Sequence, residues 1–191
     1  MSREWWDSKI PNIPGNDLKE ILRDKFIFIY NIEASMPLRL KPLIRKLIKA
    51  GYKILLYRLP RSIPARNLLR STMLAITTLS EKAKFVEYVN PFEFLLIVRN
   101  ATYVITDSFH GTIFSIMFER PFVSVQRPGA SIRVVDLLDT FSLKDRFAYT
   151  SDDVERKLEE DIDYKAVKSV LEFHRRRSLE LLKVALASKE R

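Results

Sequence analysis

The chain has 191 residues, of which 47% are hydrophobic and 30% charged, with a formal net charge of +9 and no cysteine. That length fits one domain with a full core, or one half of a larger two-domain enzyme. Without cysteine there are no disulfides, thiolate metal sites or cysteine nucleophiles, and two histidines, His110 and His174, leave little from which to build a histidine-rich metal site.

The charge is unevenly spread. Between Ala34 and Ser80 there is no acidic residue but there are ten basic ones. Such a field favours anionic partners: phosphorylated metabolites, an anionic membrane surface or nucleic acid. Nucleic acid rests on charge alone and is set aside. There is no run of 18 apolar residues, and the start, M-S-R-E-W-W-D, lacks the apolar core of a secretion signal. A cytoplasmic protein with at most peripheral membrane contact is expected.

In chain order, residues 1–24 read as an irregular arm in which Trp5 and Trp6 pack on their own domain or dock to another chain. Residues 25–150 then read as one Rossmann-like α/β domain. A nearly continuous apolar run, 26–32, predicts a strand covered on both faces. After the loop holding Ser35, apolar residues from Leu38 to Ile48 mark an amphipathic helix that Pro42 should kink or restart, and Gly51 should end it. A second strand is predicted at 52–57. Segment 67–84 fits a helix better than a strand, although its β-branched threonines weaken that reading. A strand at 85–89 follows, then a helix opened by Pro91 and running to about Asn100.

The stretch from Tyr103 to Val125 organises the rest. A short apolar run stops at Thr106, Asp107 and Ser108, and residues at helical spacing follow until Pro121, after which a second apolar strand begins. This is a β-α-β unit, whose strands are parallel and joined by a right-handed crossover. Ile113, Phe114, Met117 and Phe118 are expected on the helix's buried face. Asp107 or Ser108 is expected to cap its start and Gly111 to clear its first turn. The backbone N–H groups there would then face outward as a seat for an anion. His110 sits at that edge, where ligands of parallel sheets bind. The positive helix tip disfavours a charged imidazole and a bound anion favours one, so a proton would arrive with the substrate. Beyond Val125, the loop with Arg127 and Gly129 and the following Arg133 share the edge, and Arg146 precedes another possible strand. An acidic stretch, 152–163, reads as a solvated connector or helix start. Residues 164–187 form a long terminal helix whose apolar stripe includes His174 as a packed interface residue. Neither G-x-G-x-x-G nor a P-loop is present.

The sequence A-T-Y-V-I-T-D-S-F-H-G-T-I-F-S-I-M-F-E-R-P-F-V, preceded by N-P-F-E-F-L and followed by R-V-V-D-L-L-D-T-F-S-L-K-D-R-F, resembles the carboxy-terminal half of the polysaccharide pyruvyl transferase family. The resemblance implies a single Rossmann-like domain with a mostly parallel sheet, like the C-terminal half of a GT-B type transferase. It implies transfer of pyruvate from phosphoenolpyruvate onto two neighbouring hydroxyls of a glycan or lipid-linked sugar of the cell envelope, as a ketal, without a cofactor or metal. It places His110 in donor binding and acid–base work. Arg127, Arg133 and Arg146 become candidates for gripping phosphate or carboxylate, with Asp107, Ser108, Gly111, Thr112 and Ser35 lining the donor site. Family members are typically about twice this long, so a second subunit or homo-oligomer is expected to complete the cleft. A non-catalytic sugar- or phosphate-binding module and a nucleotide-sugar glycosyltransferase half stay open as alternatives.

Overall fold

Six short apolar segments pair into one parallel sheet. In the computed structural model, which describes residues 22–33, 35–58, 81–87, 90–127, 129 and 131–187, the strands are β1 (Phe26–Tyr30), β2 (Lys53–Arg58), β3 (Ala83–Glu87), β4 (Tyr103–Thr106), β5 (Phe122–Val125) and β6 (Phe147–Ala148). Their order is β3-β2-β1-β4-β5-β6, and every pair runs parallel. The expected arm with Trp5 and Trp6 and most of the segment 67–84 lie outside the described residues.

Helices cover both faces because the chain reverses direction at β1. From β1 the chain moves outward through α1 (Met36–Arg39) and α2 (Lys41–Lys49) to β2 and then β3; it returns through α3 (Pro91–Asn100) to β4, on the other side of β1. Right-handed crossovers in opposite directions put their helices on opposite faces. Strand alternation follows suit: Ile27 and Ile29 join the core with α1, α2 and α6 (Ser151–Glu159), whereas Phe26 and Phe28 join the core with α3, α4 (Phe109–Met117) and α5 (Ile132–Thr140).

Most predicted elements are present, with informative shifts. Pro42 restarts the helix: α1 ends at Arg39 and α2 begins at Lys41, with Pro42 in its first turn, where no intrahelical donor is needed. β1 stops at Tyr30 rather than Ile32, because the next residues turn to meet β4. β3 starts at Ala83, two residues before the predicted strand. Helix α3 has the predicted bounds and a full capping box, with Asn90 accepting from the Glu93 N–H and Glu93 accepting from the Asn90 N–H, both at 2.9 Å.

Two expectations of packing are corrected, and one left with two alternatives is decided. The face of α4 that meets the sheet carries Gly111, Thr112, Ser115 and Ile116; Ile113 and Phe114 are only half-buried and Met117 is exposed. Of the two readings of the acidic stretch, the helix start holds and the solvated connector does not: Thr150 and Asp153 form a capping box, and Val154 and Leu158 of α6 are buried against β5 and β6. In α7 (Tyr164–Ala187) the stripe is buried only at Val167 and half-buried at Val170 and Leu171. His174 is exposed, and so are Leu181, Leu182 and Ala185. No helix of the described residues is long and apolar enough to cross a membrane.

Candidate active site at the sheet's carboxyl edge

β1 is flanked by strands whose connections leave in opposite directions, so the loops after β1 and β4 diverge and open a crevice at the strands' carboxyl ends. Asp107 holds the two loops in register. Its Oδ1 accepts from the Ile32 N–H at 2.6 Å and its Oδ2 from the Glu33 N–H at 2.8 Å. Asp107 therefore clamps the β1 loop instead of capping α4. Burial pushes its carboxyl pKa up; the two N–H bonds and the nearby Arg127 charge partly oppose that shift.

Thr106 and Gly111 fix the turn between β4 and α4. The Thr106 hydroxyl donates to the Tyr30 carbonyl at 2.6 Å and accepts from the Ser108 N–H at 3.0 Å. α4 then passes so close that a Cβ on Gly111 would lie 2.3 Å from that same Oγ1. Thr112 is wholly buried. Its hydroxyl bonds the Ser108 carbonyl at 3.0 Å and Ser124 Oγ at 2.8 Å, which ties the helix to β5. Of the residues expected around the donor, Asp107, Gly111 and Thr112 thus build the turn and hold it in place.

What the turn displays is His110. Its ring is exposed on the first turn of α4, edge-on to Phe109 at 5.9 Å, and forms one wall of an aromatic pocket. Three buried polar atoms on the surrounding segments have no hydrogen-bond partner: Asn31 Oδ1 after β1, Ser108 Oγ at the start of α4, and Arg127 Nε after β5. The Tyr30 hydroxyl stands near that of Ser108 without completing a hydrogen bond. Buried groups left this way normally find a partner in a ligand or in water. Arg133 is also at this edge, but its guanidinium lies over the Phe109 ring, 5.6 Å from the centroid.

Ser35 spends its hydroxyl on the Glu33 carboxylate. Glu33 also takes Arg39 at 2.7 Å, and Arg39 reaches the Gln126 carbonyl at 3.3 Å, which bridges the β1 and β5 loops. Asn31, Glu33 and Arg39 are rim residues that the sequence reading missed. The available signal was their position directly after the first apolar run.

Arg146 is a correction. It is 2% exposed and all its nitrogens are engaged: Nε with Asp145 at 2.9 Å, one terminal nitrogen with the carbonyls of Lys157 and Glu160 at 2.8 and 3.0 Å, the other with the Glu160 carboxylate at 2.6 Å. It precedes β6 and grips the carboxyl end of α6, away from His110. The main-chain carbonyls of a helix end need donors, and Arg146 supplies them. No group of three or more His, Asp or Glu that could hold a metal occurs among the described residues.

A single parallel six-stranded sheet covered on both faces makes this a Rossmann-like α/β domain, of the kind that forms one half of a GT-B fold. Solved structures agree on the fold. A UDP co-structure of MnaA from S. aureus is 15% identical with a TM-score of 0.58, over 82% of this chain and 41% of that one. UDP-GlcNAc 2-epimerase from Methanocaldococcus jannaschii is 14% identical with a TM-score of 0.55, over 78% of this chain and 44% of that one. An O-GlcNAc transferase mutant from Thermobaculum terrenum is 14% identical with a TM-score of 0.54, over 78% of this chain and 32% of that one. The chain thus spans less than half the length of these neighbours. No curated protein sequence matches it. The family model for polysaccharide pyruvyl transferase matches residues 17–127, and the chain belongs to that family.

Proposed function

We propose that the chain carries the donor site of a pyruvyl transferase, which moves pyruvate from phosphoenolpyruvate onto two neighbouring sugar hydroxyls as a ketal. The observation that carries this reading is the exposed imidazole of His110 at the same sheet edge as the unpartnered Ser108 Oγ and Arg127 Nε. Phosphoenolpyruvate brings a phosphate and a carboxylate, and a guanidinium pairs with either through charge-assisted hydrogen bonds. Arg127 holds the donor; Arg133, stacked on Phe109, adds charge at the same rim.

His110 is the proton carrier. In the transfer, the bond from phosphate oxygen to the central carbon breaks and two carbon–oxygen bonds form. One hydroxyl proton ends on the methylene carbon, which becomes a methyl group, and the other leaves with inorganic phosphate. The imidazole donates to the methylene carbon and accepts from an attacking hydroxyl. Cationic character at the central carbon is offset by the substrate's own carboxylate, held by Arg127. A second Rossmann-like half, from another chain or a further copy, closes the cleft.

Calorimetric titration with phosphoenolpyruvate and with UDP tests this. Binding of phosphoenolpyruvate that weakens roughly tenfold in Arg127→Ala, with turnover lost in His110→Ala, is expected. Binding of UDP alone would replace the reading with a nucleotide-sugar transferase half, and binding of neither with a non-catalytic module.

A further inference from the structure

Beside the anion-binding rim lies a pocket of about 280 Å³ with a different character. Its walls are Tyr30 and Tyr57 from the ends of β1 and β2, Pro91, Phe94 and Leu95 from α3, and His110 and Phe114 from α4. Apart from the two phenols and the imidazole, every wall is apolar. The volume falls near the lower limit of small-molecule sites, roughly 300–1,000 Å³, and matches one ring-sized group better than an extended chain.

The walls are set at steep angles to one another. Tyr30 meets Tyr57 at 66° with centroids 5.0 Å apart, Tyr30 meets Phe94 at 53° and 4.7 Å, and Phe94 meets Phe114 at 73° and 6.0 Å. A flat nucleobase is best held in a slot between parallel faces, where both its π-surfaces stack. A bowl of tilted rings offers faces and edges in several directions, which suits a puckered saturated ring that presents C–H groups on one side and hydroxyls around its rim. The Tyr30 phenol, raised in pKa by burial and by Tyr57, stays protonated and can donate to a ring hydroxyl.

We propose that this pocket seats one pyranose ring of the acceptor, with its C–H face against Tyr57 and Phe94 and its neighbouring hydroxyl pair turned toward His110. The assignment rests on the pyruvyl-transfer reading and adds to it that the acceptor ring and the donor share this half of the enzyme, on either side of one imidazole. Tyr57 thereby becomes a specificity-determining residue.

Saturation-transfer NMR on the full chain, with methyl glycosides of mannose, galactose and N-acetylglucosamine as probes, tests the proposal. At least one glycoside should receive saturation mainly on one face of its ring. Tyr57→Ala should weaken that binding at least tenfold, Tyr57→Phe should largely retain it, and Leu95→Trp, which fills the pocket, should abolish it. Phosphoenolpyruvate affinity measured by calorimetry should change less than twofold in all three variants. Absence of saturation for every glycoside overturns the proposal, as does displacement of a bound glycoside by uridine or farnesyl phosphate with the same sensitivity to Leu95→Trp. If glycosides bind as expected but phosphoenolpyruvate does not, the donor reading fails and the sugar pocket stands.

Discussion

Arg127 and Arg146 flank the same pair of neighbouring strands and do opposite things. Arg146, just ahead of β6, has every nitrogen paired at the end of α6, where it satisfies carbonyls that the helix leaves open. Arg127, just beyond β5, keeps a buried Nε with no partner. Sealing a guanidinium among carbonyls and carboxylates fixes a helix on a sheet; leaving one unfilled at the opposite end keeps capacity for a charge that arrives from outside. One edge of the sheet is thus spent on cohesion, and the other is the one to which the proposed function assigns binding.

The sharpest way to break that contrast is to remove the saturated member. Arg146→Ala orphans the Lys157 and Glu160 carbonyls and is expected to lower unfolding free energy by about 3 kcal/mol, the lower end for a broken buried pair because Asp145 and Glu160 are half in solvent. Denaturant unfolding measures the loss. Phosphoenolpyruvate affinity of the folded fraction should be unchanged; a parallel loss of affinity would end the division between the two edges.

Gly111→Ala attacks the framework of the binding edge itself. The new methyl would meet Thr106 Oγ1, which cannot retreat without giving up its bonds to the Tyr30 carbonyl and the Ser108 N–H. A loss of about 2 kcal/mol is expected for such overpacking. Adding Thr106→Ala removes the oxygen and should recover part of it, although the Thr106 Cβ at 2.9 Å still crowds the site. Full additivity of the two losses in a double-mutant cycle would show that the contact is not the cause.

Arg127→Ala should do the reverse of Arg146→Ala. Phosphoenolpyruvate binding is expected to weaken roughly tenfold, about 1.4 kcal/mol, by loss of a charge-assisted bond, while stability changes by less than about 1 kcal/mol, because Nε gives up no bond and only the favourable charge near the Asp107 carboxyl is lost. A large loss of stability with affinity intact would make Arg127 a second staple.

The sequence displays the binding edge more openly than the cohesive one, for reasons of range. The β-α-β unit at Tyr103–Val125 is legible because a short apolar run stops at a polar cluster and gives way to helical spacing within a few residues, and Pro121 marks the end of the helix. His110 follows from that local pattern alone. The face of α4 was not legible from hydrophobicity: close approach to β4 and β5 requires small residues, so Gly111, Thr112 and Ser115 point inward while the larger Met117 points out. Asp107 has the composition of a helix cap, but its partners are Ile32 and Glu33, 75 and 74 residues away. Arg146 resembles any other arginine near a strand until α6 folds back over it, and the small acidic residues of that helix disguise its buried Val154 and Leu158.

The smallest expected effect also belongs to the cohesive edge. Tyr164, at the start of α7, donates its hydroxyl to the Arg120 carbonyl just ahead of β5. Burial raises its pKa far above the ordinary value of 10.0, against the opposing charges of Arg120 and Arg146. A raised folded-state pKa means that the folded chain binds the phenolic proton more tightly than the unfolded chain. The stabilisation is therefore complete below pH 10 and is lost as the pH climbs above that value toward the folded-state pKa. Tyr164→Phe gives up one hydrogen bond, about 1 kcal/mol at neutral pH, and carries no phenolic proton to lose. The stability curves of wild type and variant should accordingly converge as the pH is raised from about 8 to about 11, since all other titrating groups are common to both. A constant gap across that interval would mean that the phenol ionises alike in the folded and unfolded chains, against the burial argued for it; no gap at any pH would mean that α7 is anchored by Val167 and its neighbours without help from this bond.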